Sequence, residues 1–208
     1  MTKTYHQLVF IHVPKNAGTS FTHALKRTFG RNNVFHAGTS EETSEFRRTK
    51  PEDLRNYAIL SGHITKASFL NKVPNAKCFA IIRDPYERAV SVYKHFSTVQ
   101  SHPLYEAHFR LDFSQHLEWM LENVQVTNAI SQVHYTGGLG GVNVFKVSEL
   151  DSLLKDMIKA SGRHANPFAI PNLNAINKNV FINGCDRELI SRVYCDDIAY
   201  YNKLFIKS

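Results

Sequence analysis

At 208 residues, 43% hydrophobic and 21% charged, the chain has the length for a substantial core and the balance of a folded globular protein, which excludes disordered and fibrous classes. Twenty-five Lys and Arg against 18 Asp and Glu leave a formal charge of +7, which favours anionic partners such as nucleotides, nucleic acid or acidic glycans. The basic residues are dispersed, with no run of five, so a nucleic-acid-binding tail is not indicated; three cysteines, Cys78, Cys185 and Cys195, without paired spacing argue against a disulfide scaffold and a structural zinc.

The first predicted element is a strand, HQLVFIHV at 6–13, an apolar run too short for a membrane span or a signal peptide. A tight turn follows, and a helix is predicted over 20–29, closed by Gly30. Residues 36–56 are polar and predicted to make an excursion over one edge of the fold. YAILSGHI at 57–64 and AKCFAIIRD at 76–84 read as the next strands, with helices at 85–96 and roughly 113–124. HYTGGLGG at 134–141 lacks the spacing of a dinucleotide fingerprint and reads as a flexible turn into a fourth strand, GVNVFKV at 141–147. Helices at 150–160 and 186–204 then flank a long Asn- and Pro-rich loop at 161–179. The strands are nearly continuous in apolar character, the mark of a parallel sheet buried on both faces. Alternating strands and helices predict an α/β fold: a P-loop-like three-layer arrangement with a central, mainly parallel sheet flanked by helices, residues 1–208 forming one domain.

Three segments carry chemistry. Lys15, Asn16, Ala17, Gly18, Thr19 and Ser20 lie between the first strand and its helix, where backbone N–H groups and the positive helix end suit a phosphate. Lys15 supplies a mobile charge, and Thr19 and Ser20 supply hydroxyls. The order differs from the standard P-loop, because the lysine precedes the glycine. An ordinary helix start, with Thr19 or Ser20 as N-cap and Lys15 solvated, accounts for the same residues. In the second segment Asp84, Pro85 and Glu87 spell an N-cap, a first-turn proline and a capping box; Arg83 ends the strand before them, and Ser91 lies two turns along the helix from Asp84. Arg83 and Ser91 are placed to approach one anion, although an ion pair for the arginine and quiet packing for the serine fit equally. The third is Gly62-His63 at the end of a buried strand, where open α/β sheets put their ligand crevice. No cluster of His, Cys or carboxylates has metal-ligand spacing, and no metal is expected.

Together, HVPKNAGTSF at 12–21 and IIRDPYERAVSVY at 81–93 resemble the two cofactor signatures of the sulfotransferases that use 3′-phosphoadenosine 5′-phosphosulfate (PAPS), and look most like the carbohydrate branch that includes the hexuronic 2-O enzymes. The resemblance implies that residues 15–20 wrap the 5′-phosphosulfate, that Arg83 and Ser91 hold the 3′-phosphate, and that Lys15 is catalytic, neutralising charge on the oxygen bridging phosphorus and sulfur. It also implies a general base at His63, since the related enzymes carry a Gly-His at the corresponding strand end. Those enzymes tend to show His-Gly-His, where this chain has Ser61, so no second histidine is expected from that motif. Asn177 and Lys178 match a loop that folds over the cofactor, while Asp197 and Tyr200 match residues that anchor the last helix.

The expected activity is therefore in-line sulfuryl transfer from PAPS to a hydroxyl, of a carbohydrate by resemblance, leaving 3′-phosphoadenosine 5′-phosphate (PAP) as product, with His63 as base and Glu41 or Glu42 as the substitute. The alternatives are a P-loop kinase or nucleotide hydrolase, which predicts magnesium dependence, and a nonenzymatic binder of acidic glycans. Segments 31–56 and 97–135 are expected to shape the acceptor cleft, with Arg47, Arg48, Lys66 and Arg110 available to an acidic sugar. No nucleic-acid partner and no membrane insertion are expected. The cysteine usage points to the cytoplasm, and a luminal domain trimmed of its anchor has the same reading.

Overall fold

The computed structural model describes residues 7–173 and 180–206. In chain order the principal elements are β1 (Leu8–Ile11), α1 (Gly18–Phe29), β2 (Val34–Ala37), α2 (Ser40–Arg48), β3 (Ile59–Gly62), α3 (Lys66–Lys72), β4 (Lys77–Ile82), α4 (Pro85–Thr98), α5 (Phe113–Glu122), β5 (Val142–Lys146), α6 (Leu150–Ser161), α7 (Gly184–Val193) and α8 (Cys195–Phe205). Two compact units divide the chain, one of Met1–Ile82 with Tyr135–Asn174 and the other of Arg83–His134 with Ala175–Ser208.

The first unit is a five-stranded sheet in the order β2-β3-β1-β4-β5. Every pairing is parallel, with Leu8 opposite both Ile59 and Lys77 and Val34 opposite Ile59. The apolar strands require this burial: all four residues of β1 are buried, so alternate side chains fill both faces of the sheet. On one face Leu8, Phe10, Ile59, Phe79 and Ile81 meet Phe21, Leu25 and Phe29 of α1 and Leu153, Leu154 and Met157 of α6. The spacing of Phe21, Leu25 and Phe29, four residues apart, puts one stripe of α1 on the sheet, each such side chain contributing about 1.5–3 kcal/mol when fully buried.

Residues 36–56 are not a simple excursion. They continue from β2, an edge strand, into α2, opened by a capping box in which Thr39 and Glu42 exchange hydrogen bonds. The strand was hidden because VFHA is only four residues long and borders a polar helix. The packing that fixes it is aromatic: Phe35 lies 6.0 Å from Phe46 and 5.4 Å from Tyr57, and Phe46 lies edge-on to Phe69 of α3.

The second unit is helical, built on Ala89, Val92 and Phe96 of α4, Phe113, Leu117 and Met120 of α5, and Ile190 and Val193 of α7. Asp84 caps α4 as expected, accepting from the backbone N–H of Tyr86 and Glu87. The capping box does not form, because the Glu87 carboxylate turns to Arg83 instead, at 3.3 Å. The helix expected at 186–204 is two helices, broken at the buried Tyr194. The break lets the first turn of α8 present Asp197 to Arg88, which is fully buried and paired with that carboxylate at 3.2 Å. Asp197 also accepts from the N–H groups of Gln132 and Val133, so it anchors α8 as expected, and Tyr200 is buried beside it in sequence. Among the described residues no helix is long and apolar enough to cross a membrane.

Candidate functional site

The turn after β1 is strained where a ligand loop is expected to be. Lys15 and Ala17 both take positive φ, 68° and 62°, an uncommon state for residues with a Cβ that persists where the surrounding structure enforces it. Helix α1 starts at Gly18 with Ala17 as N-cap and without any side-chain cap bond. Neither Thr19 nor Ser20 caps it. The Ser20 hydroxyl accepts instead from the N–H of Leu173 at 3.0 Å, tying down the segment after α6, and Thr19 is exposed. The first-turn N–H groups of α1 therefore have no side-chain acceptor, which fits an anionic group at this turn. Asn16 is buried, and its side chain donates to the carbonyl of Ile81 at 2.7 Å, so it pins the loop to β4 rather than facing outward.

Gly18 is required by a histidine. A Cβ there would come within 1.9 Å of the His12 ring, so the residue that follows β1 and the first of α1 are in direct contact. Gly18→Ala is expected to lower stability by about 1–3 kcal/mol, read by chemical denaturation, because the buried ring has little room to retreat.

His63 leaves β3 beside this turn. Its N–H donates to Ala37 O at 2.8 Å, and at Gly62 a Cβ would lie 2.4 Å from the same oxygen, so only glycine lets the β3 end close on β2. The imidazole lies 2.7 Å from the carbonyl oxygen of His12 through Nδ1. A carbonyl only accepts, so Nδ1 carries the proton and Nε2 keeps its lone pair. Burial pushes the His63 pKa below its ordinary value and the Lys15 charge lowers it further, against an opposing hydrogen bond to His12 and the charge of Glu42. His63 is thereby a neutral imidazole at pH 7 with a free Nε2.

Two further histidines join it. The His12 ring is 4.2 Å from that of His63 and 5.6 Å from that of His36. Burial, then the neighbouring His63, His36 and Lys15, hold His12 well below the usual imidazole range; burial and Lys26 bring His36 down to about 4. His36 also contacts the Ser61 hydroxyl through Nδ1 at 3.2 Å. His12 is buried just past β1 and His36 is half-buried in β2, and neither is among the candidate site residues read from the sequence. The signal for His36 was present: VFHAG ends an apolar run at a glycine, as LSGH does. Glu42 fits the base role poorly. Desolvation raises its pKa, but hydrogen bonds from Gly38 and Thr39 outweigh that and hold the carboxylate below its usual range.

In the second unit Arg83 is part-exposed beside Glu87, and Ser91 is half-buried on α4. Asn177 and Lys178 lie outside the described residues. Lys66 donates to Gly140 O, and Arg110 lies over the Phe109 ring. Among the described residues no group of three or more His, Cys, Asp or Glu is arranged to hold a metal ion.

A family model described as the sulfotransferase family matches residues 1–137, well over half of the chain. The crystal structure of a sulfotransferase from Alicyclobacillus acidocaldarius is similar in fold, with a TM-score of 0.59 at 14% identity over 99% of this chain and 98% of that one. No curated protein sequence matches. By the match over its first 137 residues the chain belongs to the sulfotransferase family and is a PAPS-dependent sulfotransferase.

Proposed function

We propose that the chain transfers the sulfuryl group to a carbohydrate hydroxyl with His63 as general base. The observation that carries this reading is the tautomer of His63: an imidazole held by Nδ1, uncharged, with Nε2 available and Lys15 close enough to act on its charge state. PAPS, when bound, supplies an activated sulfuryl group on a phosphate leaving group. The uncapped start of α1 and residues 15–20 would hold the 5′-phosphosulfate, and the Lys15 ammonium would neutralise charge on the bridging oxygen. Arg83 and Ser91 would hold the 3′-phosphate. Nε2 of His63 would take the acceptor proton while the His12 carbonyl keeps the ring oriented and stabilises the imidazolium that results.

Strand order supports a division of the sheet edge. The phosphate turn leaves β1 and His63 leaves β3, next to β2, whereas β4, the strand leading into Arg83, is on the other side of β1. An acceptor presented to His63 therefore approaches over β3 and β2. A cavity of about 780 Å³, within the usual range for ligand sites, opens between α1 and β2, and its lining includes Thr19, Lys26, Arg31, Phe35, His36 and Tyr57. The rings of Phe35 and Tyr57 and the two cations suit a sugar bearing an acidic group, with Glu45 as the one carboxylate in the lining. Lys26 and Arg31 thus take the place in this reading of Arg47, Arg48, Lys66 and Arg110, none of which lines the cavity.

Thermal unfolding with PAP, and separately with ATP and magnesium, tests the donor half: PAP should raise the midpoint and ATP should not, since only a ligand of the native state stabilises it. Stabilisation by magnesium ATP alone would turn the assignment toward phosphoryl transfer. Labelled PAPS offered with desulfated polysaccharides, neutral oligosaccharides and small alcohols tests the acceptor half.

A further inference from the structure

We propose that Gln132 is a positioning residue for Arg83, fixing the arginine that meets the 3′-phosphate; this rests on the reading of Arg83 given above. Gln132 is fully buried and grips the Arg83 backbone twice. Its Oε1 accepts the Arg83 N–H at 2.9 Å, and its Nε2 donates to the Arg83 carbonyl at 3.0 Å. One primary amide thus satisfies both polar groups of one peptide unit pair, as a neighbouring strand would, at the point where β4 has ended and the cap of α4 has not begun.

Gln132 is itself held from behind. Its backbone N–H donates to both oxygens of Asp197, at 2.9 and 3.1 Å, and Asp197 is paired with the buried Arg88. Arg88 in turn donates to the carbonyl of Ile130, two residues before Gln132. The chain of contacts therefore closes on itself: α4 carries Arg88, α8 carries Asp197, and both fix the backbone from which Gln132 reaches Arg83. The Arg83 guanidinium pairs with the exposed Glu87 carboxylate at 3.3 Å, an i,i+4 pair of small energetic weight. Pinning the backbone sets where a flexible side chain starts, which lowers the ordering entropy lost when it closes on an anion.

The test compares binding of PAP with that of adenosine 5′-phosphate, which lacks the 3′-phosphate, by titration calorimetry. Gln132→Ala is expected to weaken PAP roughly tenfold while leaving adenosine 5′-phosphate within about twofold. On an Arg83→Ala background the same substitution should bring no further loss, because the two residues act as one unit. Gln132→Asn, which keeps the amide but loses a methylene, carries the same readouts if the alanine variant fails to fold. Equal weakening of both nucleotides, unchanged PAP binding, additive losses with Arg83→Ala, or unfolding of both variants would each assign Gln132 to the scaffold alone and overturn the proposal. If Arg83→Ala itself leaves the preference for PAP intact, the 3′-phosphate reading of Arg83 fails first and the role of Gln132 fails with it.

Discussion

His63→Ala should reduce the turnover of sulfuryl transfer by about 10²–10⁴-fold while leaving PAP affinity nearly unchanged. The imidazole touches the carbonyl of His12, just past β1, and lies close enough to Lys15 to feel its charge, but it is not part of the turn itself, so its removal leaves the anion-binding backbone in place. The pH profile gives an independent reading. A base works only when neutral, so activity is lost as pH falls through the His63 pKa and is flat above it. Burial, aided by Lys15, places that pKa below the ordinary imidazole value of 6.5 despite the His12 bond and Glu42. The acid limb of kcat/KM should therefore lie below pH 6.5 and vanish in the alanine variant. His12 and His36, both depressed, remain neutral across the same interval and do not add a limb near neutrality. Turnover in His63→Ala equal to that of the parent would remove the base assignment.

The largest stability effect is expected in the helical unit. Arg88→Leu leaves the Asp197 carboxylate buried without its cation and the Ile130 carbonyl without its donor, at a cost of about 3–5 kcal/mol. For a chain of this size that corresponds to a fall of roughly 6–20 °C in the thermal midpoint. Burial raises the Asp197 pKa and the Arg88 charge holds it down, together with the N–H groups of Gln132 and Val133, so the variant removes the chief force keeping that carboxylate ionised. Adding Asp197→Leu to Arg88→Leu should recover only part of the loss. The pair could be replaced by apolar groups at small net change, but the two N–H groups capped by Asp197 would stay buried and unmet. Full recovery on calorimetric scanning would show that the ion pair, and not the N–H capping, carries the stability.

The sequence legibly encoded whatever depends on neighbours along the chain. Four apolar runs were long and β-branched enough to be strands, and their unbroken character required a parallel sheet covered on both faces. The turn at 15–20 and the Asp84-Pro85 helix start were readable because residue order dictates local backbone chemistry. Gly62-His63 was readable because a strand end in such a sheet opens on the crevice.

What depended on distant contacts was not legible. VFHA is too short to declare itself a strand; pairing with β3 and the packing of Phe35 against Phe46 and Tyr57 decide it. Glu87 was assigned to a cap from its spacing, yet the same carboxylate was within reach of Arg83, and no local rule ranks two acceptable partners. The burial of Arg88 and the grip of Gln132 both depend on Asp197, more than a hundred residues from Arg88 in the chain and presented by the break at Tyr194. Sequence alone determined the fold class and the two motif segments, because periodicity and turn chemistry act over a few residues. Tertiary structure decided which histidines surround His63, which tautomer it holds and which cations line the cavity between α1 and β2, because burial and hydrogen-bond partnership are properties of residues that meet only after the chain has folded.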